Sequence, residues 1–352
     1  VKIFRRLYPV AAFFGGFIVD ALTLGKRVRA FDFWQLGAYL TGAAVFILWL
    51  AWRDAREKEP PLPAADLKGH VARFRWQAPY LLVQFFYGSI FSALFILYFK
   101  SSGHFGAWLT AVALGGLLVA NEFAGDRYGR RFTLTWALFA LNAILLLNFV
   151  LPHLSGSLDQ RWFYASTLAG AMTATVLYWL APGRPGRIGP AWGVAVSLLA
   201  AWNLGMIAPV PLVSRDLAVG HDFVQTDGRF LLTVEQPSRG QFWRNQAATV
   251  HVEEGGRLYG VTAVFAPLGV TAYLEHRWEM FGDDGWQLVY RNRFRSTGGR
   301  ELGFRGYSWV LNPQPGEWRL SVGTQDGRVI GVMAFRVERG DPRLWARRER
   351  EF

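Results

Sequence analysis

The chain has 352 residues, 52% of them hydrophobic, and a mean hydropathy of +0.16, a value to which one apolar and one polar region would average. It contains no cysteine, which excludes disulfides, thiolate chemistry and cysteine metal sites. The net charge of +12 is uneven: residues 1–213 carry 19 Lys and Arg against 9 Asp and Glu, and the remainder 19 against 17. The basicity thus lies between apolar runs, where it sets membrane topology rather than gripping phosphates, and nucleic acid is not expected as a partner.

A helix needs about 20 mostly apolar residues to cross a hydrocarbon core of about 30 Å. Seven stretches meet this: Tyr8–Leu24, Phe33–Trp52, Pro79–Phe99, His104–Phe123, Phe132–Leu151, Arg161–Ala181 and Gly189–Val213. The first follows Lys2, Arg5 and Arg6 but lacks a small-residue cleavage pattern, so it reads as a span rather than a removable signal. The seventh contains Pro209 and Pro211, which break a helix before its end. Alternate connections hold 14 and 5 Lys and Arg, so the N-terminus is expected in the cytoplasm and, after an odd number of crossings, the C-terminal half in the periplasm.

Two carboxylates fall inside spans, Asp20 and Glu122, and a charge in lipid is costly enough to be a functional suspect. They are predicted near opposite membrane faces, so they form no dyad. The plainer reading pairs Asp20 with Lys26, Arg27 or Arg29, and Glu122 with Arg127, Arg130 or Arg131; the sharper one makes each the polar contact of a cavity. Asn121, Asn142, Asn148 and Asn203 add amides at membrane depth, where such groups tie helices together. Gly15, Gly16, Gly37, Gly42, Gly115 and Gly116 likewise suggest close helix packing.

From Ser214 the pattern changes to short alternating runs punctuated by Gly, Pro and Asp. In Val270–Phe281 one face carries Leu274, His276, Trp278 and Met280 and the other Tyr273, Glu275, Arg277 and Glu279. Asp326-Gly327 reads as a hairpin turn, and Asn312–Gly316 as a loop. About seven strands between Phe230 and Val337 suit an all-β, Ig-like antiparallel sandwich. The expected organisation is a membrane helical bundle of about seven spans over 1–213, a connecting segment with first strands over 214–245, a sandwich over 246–338, and a charged tail over 339–352.

The sandwich half holds 19 arginines and no lysine. Arg277, Arg291, Arg293 and Arg319 have the strand parity of the polar face. Their planar forks, interleaved with Trp and Tyr, would suit acidic sugars or headgroups, while 17 acidic residues in the same half favour a mixed, solvated surface. The six histidines have no metal-like spacing, so no metal is expected, and His276 reads as a hydrogen-bonded core residue beside Trp278. No phosphate loop, nucleophile elbow or cofactor motif is present, so neither catalysis nor a cofactor is expected.

The segments Gln241-Phe242-Trp243-Arg244, Thr262–Pro267, His276-Arg277-Trp278, Gly306-Tyr307, Gly316–Arg319 and Gly327–Gly331 resemble an uncharacterised proteobacterial domain family found C-terminal to a multi-span membrane region. Phe17–Gly25 and Ala120–Phe123 are similar to that region. The resemblance implies architecture rather than activity, and it directs attention to Asp20, Asn121, Glu122 and the His-Arg-Trp segment; the surface candidates of the β-domain are Trp243, His276, Arg277, Trp278, Arg291, Arg293, Tyr307 and Arg319. The expected function is a non-enzymatic role in the envelope, with the β-domain binding a partner protein or a glycan and the bundle contacting membrane lipid. The alternative is a transporter or lipid-handling protein that uses the intramembrane carboxylates.

Overall fold

The computed structural model describes residues 30–56, 67–102, 105–122, 131–226, 229–237, 244–266, 270–298 and 303–352. The first expected span, with Asp20, Gly15 and Gly16, lies outside them, as does Trp243. The chain divides into two compact units. The first is Val1–Phe99, Trp108–Leu154 and Asp159–Ile207; the second is Lys100–Ala107, Ser155–Leu158 and Ala208–Phe352.

The described helices are α1 (Ala30–Arg56), α2 (Leu67–Ser101), α3 (Phe105–Glu122), α4 (Phe132–Ser155), α5 (Gln160–Leu180) and α6 (Gly189–Asn203). Three contain stretches long and apolar enough to cross a membrane: Phe33–Arg56, Ala78–Ser101 and Phe132–Ser155. The apolar stretch of α3, Phe105–Asn121, is shorter. The expectation of seven full spans is corrected most clearly at α6, which has 15 residues and so reaches only about 22 Å at helical rise. It stops because Gly205 takes φ +69° just beyond its last turn, the left-handed ending that glycine permits, and Pro209 and Pro211 follow.

Within this unit small residues bring helices together. A Cβ on Gly42 would lie 2.7 Å from Phe86 Cζ, and one on Gly170 2.7 Å from the Ile144 backbone nitrogen. Trp34, Val45, Phe85, Leu168, Met172, Val176 and Val196 face outward. An apolar exterior over an apolar interior is the pattern of helices solvated by lipid rather than water.

The described residues of the second unit form ten strands: β1 (Val213–Thr226), β2 (Arg229–Glu235), β3 (Thr249–Val252), β4 (Arg257–Phe265), β5 (Thr271–Gly282), β6 (Gly285–Thr297), β7 (Phe304–Leu311), β8 (Gly316–Thr324), β9 (Val329–Arg339) and β10 (Arg347–Glu351). They form two five-stranded sheets in the orders β10-β2-β1-β4-β7 and β3-β9-β8-β5-β6. All pairs are antiparallel except β3 with β9, which run parallel, a departure from the purely antiparallel expectation. Val219, Leu258 and Val310 of the first sheet meet Trp278, Trp318, Leu320 and Phe335 of the second in one buried core. Gly260 allows this approach, since a Cβ there would lie 2.3 Å from Leu320 Cδ2.

In β5 Leu274, His276 and Trp278 are buried as the alternation predicts, while Glu275 on the opposite face is buried against expectation. The Asp326-Gly327 turn joins β8 to β9 with Gly327 at φ +87°. The segment Arg339–Phe352 departs from the expected charged tail. It makes a 3-10 turn at Pro342–Leu344 and then β10, which pairs with β2, and Phe352 is buried with Ala218, Leu232, Val234, Val261 and Ala263. Of the segment 214–245, expected to hold a connection and the first strands, residues 214–226 and 229–235 belong to β1 and β2 of the first sheet.

Candidate binding site

Each sheet ends in a strand with no further strand partner among the described residues, β7 in one and β6 in the other, and these two edges lie side by side. The Asn292 amide donates to the Tyr307 carbonyl at 3.1 Å. Phe294 stacks on Phe304 with 6.1 Å between centroids, and a Cβ on Gly306 would lie 2.5 Å from Phe294. Between the edges is a cleft of about 480 Å³ lined by Gln225, Phe230, Tyr290, Asn292, Phe294, Phe304 and Arg305 together with Tyr307, Ser308 and Trp309. Its volume falls within the range of small-molecule sites, and it sets aromatic rings beside a few polar groups.

Strand parity explains the lining. On β6, Tyr290, Asn292 and Phe294 oppose Trp278, His276 and Leu274 of β5 and turn toward the interior; at an edge, that direction opens into the cleft. Tyr307, on the outer face of β7, stacks on Phe223 at 4.4 Å and meets Phe230 edge-on at 5.8 Å. Trp309 carries the Arg257 guanidinium 4.9 Å from its centroid.

Behind the cleft, Ser308 Oγ lies 2.8 Å from His276 Nδ1 and accepts from Trp278 Nε1 at 2.8 Å. With Trp278 donating, the serine hydrogen points to Nδ1, so the proton of neutral His276 resides on Nε2, which has no hydrogen-bond partner. Burial pushes the His276 pKa down to about 3. A serine beside an imidazole suggests nucleophilic chemistry, but a base that weak takes no proton from a hydroxyl near neutral pH. The group is a buried hydrogen-bonded cluster in which Nε2 of His276 lacks a partner among the described residues, and it places His276 and Trp278 in the core rather than at the surface expected of binding candidates.

On the outer face of the second sheet, Arg319 holds Glu279 through two hydrogen bonds of 2.6 and 2.9 Å and lies 4.5 Å from the Trp286 centroid. Arg336 pairs with Glu317. The fully buried Glu275 takes Arg277 on one oxygen, while Arg293 Nε stands 3.5 Å from the other, an ion-pair distance without hydrogen-bond geometry. Arg291 is directly opposite Arg277 in the β5–β6 register.

The sequence gives no sign of a second buried cluster. Glu235 at the end of β2 accepts from His251 through the backbone N–H at 2.7 Å and through Nδ1 at 2.8 Å, and lies 3.1 Å from His221 Nε2. Trp345 stacks on His251 at 3.9 Å. Desolvation raises the Glu235 pKa most strongly, yet the hydrogen bonds from both histidines together outweigh it and leave the carboxyl below its usual value. The three residues are far apart in sequence and lie on β1, β2 and β3, which belong to different sheets, so only the meeting of the two sheets brings them together. Among the described residues no cluster of three or more His, Cys, Asp or Glu could hold a metal ion.

The helical candidates are scattered. Asn121 Nδ2 donates to the Gln84 carbonyl at 3.1 Å, and Gln84 Nε2 donates to the Asn121 carbonyl at 3.0 Å, a reciprocal tie between α2 and α3. Glu122 closes α3. Asn203 is exposed at the end of α6, where it donates to the Leu199 carbonyl and lies 3.2 Å from the Tyr164 hydroxyl.

Residues 271–337 match DUF2914, a family of proteins of unknown function. The DUF2914 match runs from β5 into β9 and therefore includes β6, β7 and much of the cleft. No curated protein matches the chain. Among solved structures, an immunoglobulin-like protein from Pseudomonas aeruginosa is 16% identical, with 34% of this chain and 97% of that one covered and a TM-score of 0.20. A β-glucosidase from Listeria innocua is 12% identical over 31% of this chain and 16% of its own, at a TM-score of 0.19. An alkylpurine DNA glycosylase from Pseudomonas fluorescens is 11% identical over 83% and 76%, at 0.21. Likenesses this weak do not place the fold, which rests on the sheet order alone.

Proposed function

We propose that the chain is a multi-pass protein of the bacterial inner membrane whose β-sandwich projects into the periplasm and binds an envelope partner in the cleft between β6 and β7, without catalysis. The cleft carries this reading. It offers exposed rings at Tyr290, Tyr307 and Trp309 beside amide, hydroxyl and guanidinium groups, which is what reversible recognition requires. The membrane placement is supported by three helices of spanning length with apolar exteriors and the cytoplasmic N-terminus by the 14-to-5 division of Lys and Arg.

A photo-crosslinking residue at Gln225, on the cleft mouth, tests the reading in growing cells. Adducts absent from a control at exposed Glu254 are expected, and digestion by protease or by muramidase tells a protein from a glycan. Adducts no stronger at Gln225 than at Glu254 would remove the cleft from consideration. A reporter active only outside the cytoplasm, fused after Phe352, checks the sidedness; silence there places the sandwich in the cytoplasm.

A further inference from the structure

β6 is a 13-residue strand of sequence GWQLVYRNRFRST. It pairs with β5 along one edge and, among the described residues, with no strand along the other. An open edge presents a row of unpaired N–H and C=O groups ready to accept another strand. The strand has three arginines and no acidic residue. Register puts all three on the outer face, Arg291 opposite Arg277, Arg293 opposite Glu275 and Arg295 opposite Tyr273. Like charges directly opposite one another destabilise a sheet, and the one buried carboxylate nearby is already shared by Arg277 and Arg293. Among the described residues Arg291 and Arg295 make no ion pair. The other face of the same strand presents Tyr290, Asn292 and Phe294 to the aromatic cleft.

We propose that the β6 edge takes an extended peptide segment of a partner protein as an added strand, with side chains that alternate between acidic and apolar. This rests on the binding function proposed above and names its occupant. Alternation follows from the geometry: successive residues of an added strand point to opposite faces, so every second one meets Arg291, Arg293 and Arg295 and the rest enter the cleft. Backbone hydrogen bonds supply affinity, and the two unlike faces supply register and specificity. Arginines on an edge also deter self-pairing, which an acidic segment overcomes and a second basic copy does not.

The test uses the full chain in nanodiscs of zwitterionic lipid and a fluorescent heptapeptide of sequence Val-Glu-Val-Glu-Val-Glu-Val, with a block peptide of the same composition as control. The alternating peptide is expected to bind at least about tenfold more tightly, and the Arg291→Glu/Arg295→Glu double variant to lose at least about tenfold. Both side chains are exposed and without an ion pair among the described residues, so their reversal leaves the fold intact. N-methylation of alternate residues is expected to abolish binding in one parity and spare it in the other, because only every second N–H of an added strand faces its neighbour. Equal binding of the two peptides, insensitivity to methylation parity, or no binding overturns the proposal. So does displacement by glycan fragments, which gives the cleft to a sugar, or a dimer that resists the peptide, which gives the edge to a second copy. If cleft adducts form in cells while the peptide fails, the occupant is wrong and the binding function stands.

Discussion

Acid sensitivity of the β-sandwich is expected to originate at His276. Its ring is fully buried between the sheets, and burial holds its pKa at about 3 in the folded protein, against 6.5 for the ordinary side chain. The folded-state value is depressed, so the unfolded chain takes up the proton first as pH falls. Stability is therefore undiminished above pH 6.5 and declines from there down to about pH 3. Between pH 7.5 and pH 5 linkage gives a loss of about 2 kcal/mol, from a slope of about 1.4 kcal/mol per unit. Glu235 acts lower. Its folded pKa lies below the 4.5 of an ordinary glutamate, so its contribution is present above that value and disappears as pH falls through the lowered one. Hydrogen-exchange mass spectrometry of β5 and β7 peptides in the full chain, corrected for intrinsic rates, reads the effect locally. His276→Asn retains a polar partner for Ser308 but does not titrate; its stability is expected to be lower at pH 7.5 and flat to pH 5. A variant whose slope equals the wild-type slope would refute the assignment.

Glu235→Gln leaves two buried imidazoles without their shared acceptor charge, and is expected to destabilise the sandwich by about 3 kcal/mol, read as faster exchange in β2 and β3. Gly260→Ala forces a methyl against Leu320 and Trp278; overpacking of this kind costs about 1–3 kcal/mol, seen as a lower denaturant midpoint with an unchanged m-value. Ending the chain after Trp345 strips β10 from β2 and uncovers the cluster around Phe352. A loss of about 3 kcal/mol is expected from a segment whose sequence reads as a solvated tail.

What the sequence made legible was whatever depends on neighbours along the chain. Period-2 alternation placed β5 and β8, and Asp-Gly placed the turn between β8 and β9, because a strand face and a hairpin are decided within a few residues. Apolar length found the helices of spanning size. The weaker readings failed where partners from elsewhere decide the outcome. Every residue of Arg347–Glu351 is charged and the segment still forms a strand, because β2 supplies the hydrogen bonds and Phe352 the anchor. Glu275 reads as an outward polar residue and is fully buried, since Arg277 and Arg293 close over it from either side.

The same reasoning separates the candidate residues. His276 was readable because its burial follows from the parity it shares with Trp278, whereas the union of His221, Glu235 and His251 requires strands from both sheets to meet. The arginines lie between these cases. Parity alone put Arg277, Arg291, Arg293 and Arg319 on one face, but only pairing across the sheet shows that Arg319 is neutralised by Glu279 while Arg291 stands opposite another arginine. A face that was merely mixed in composition is therefore uneven in space. Its charge is balanced over β8 and β5 and left positive along β6, the strand whose backbone is also unpaired on that side among the described residues. Unpaired edge and uncompensated charge coincide on one strand, and that coincidence directs the peptide experiment to β6 rather than to the rest of the sheet.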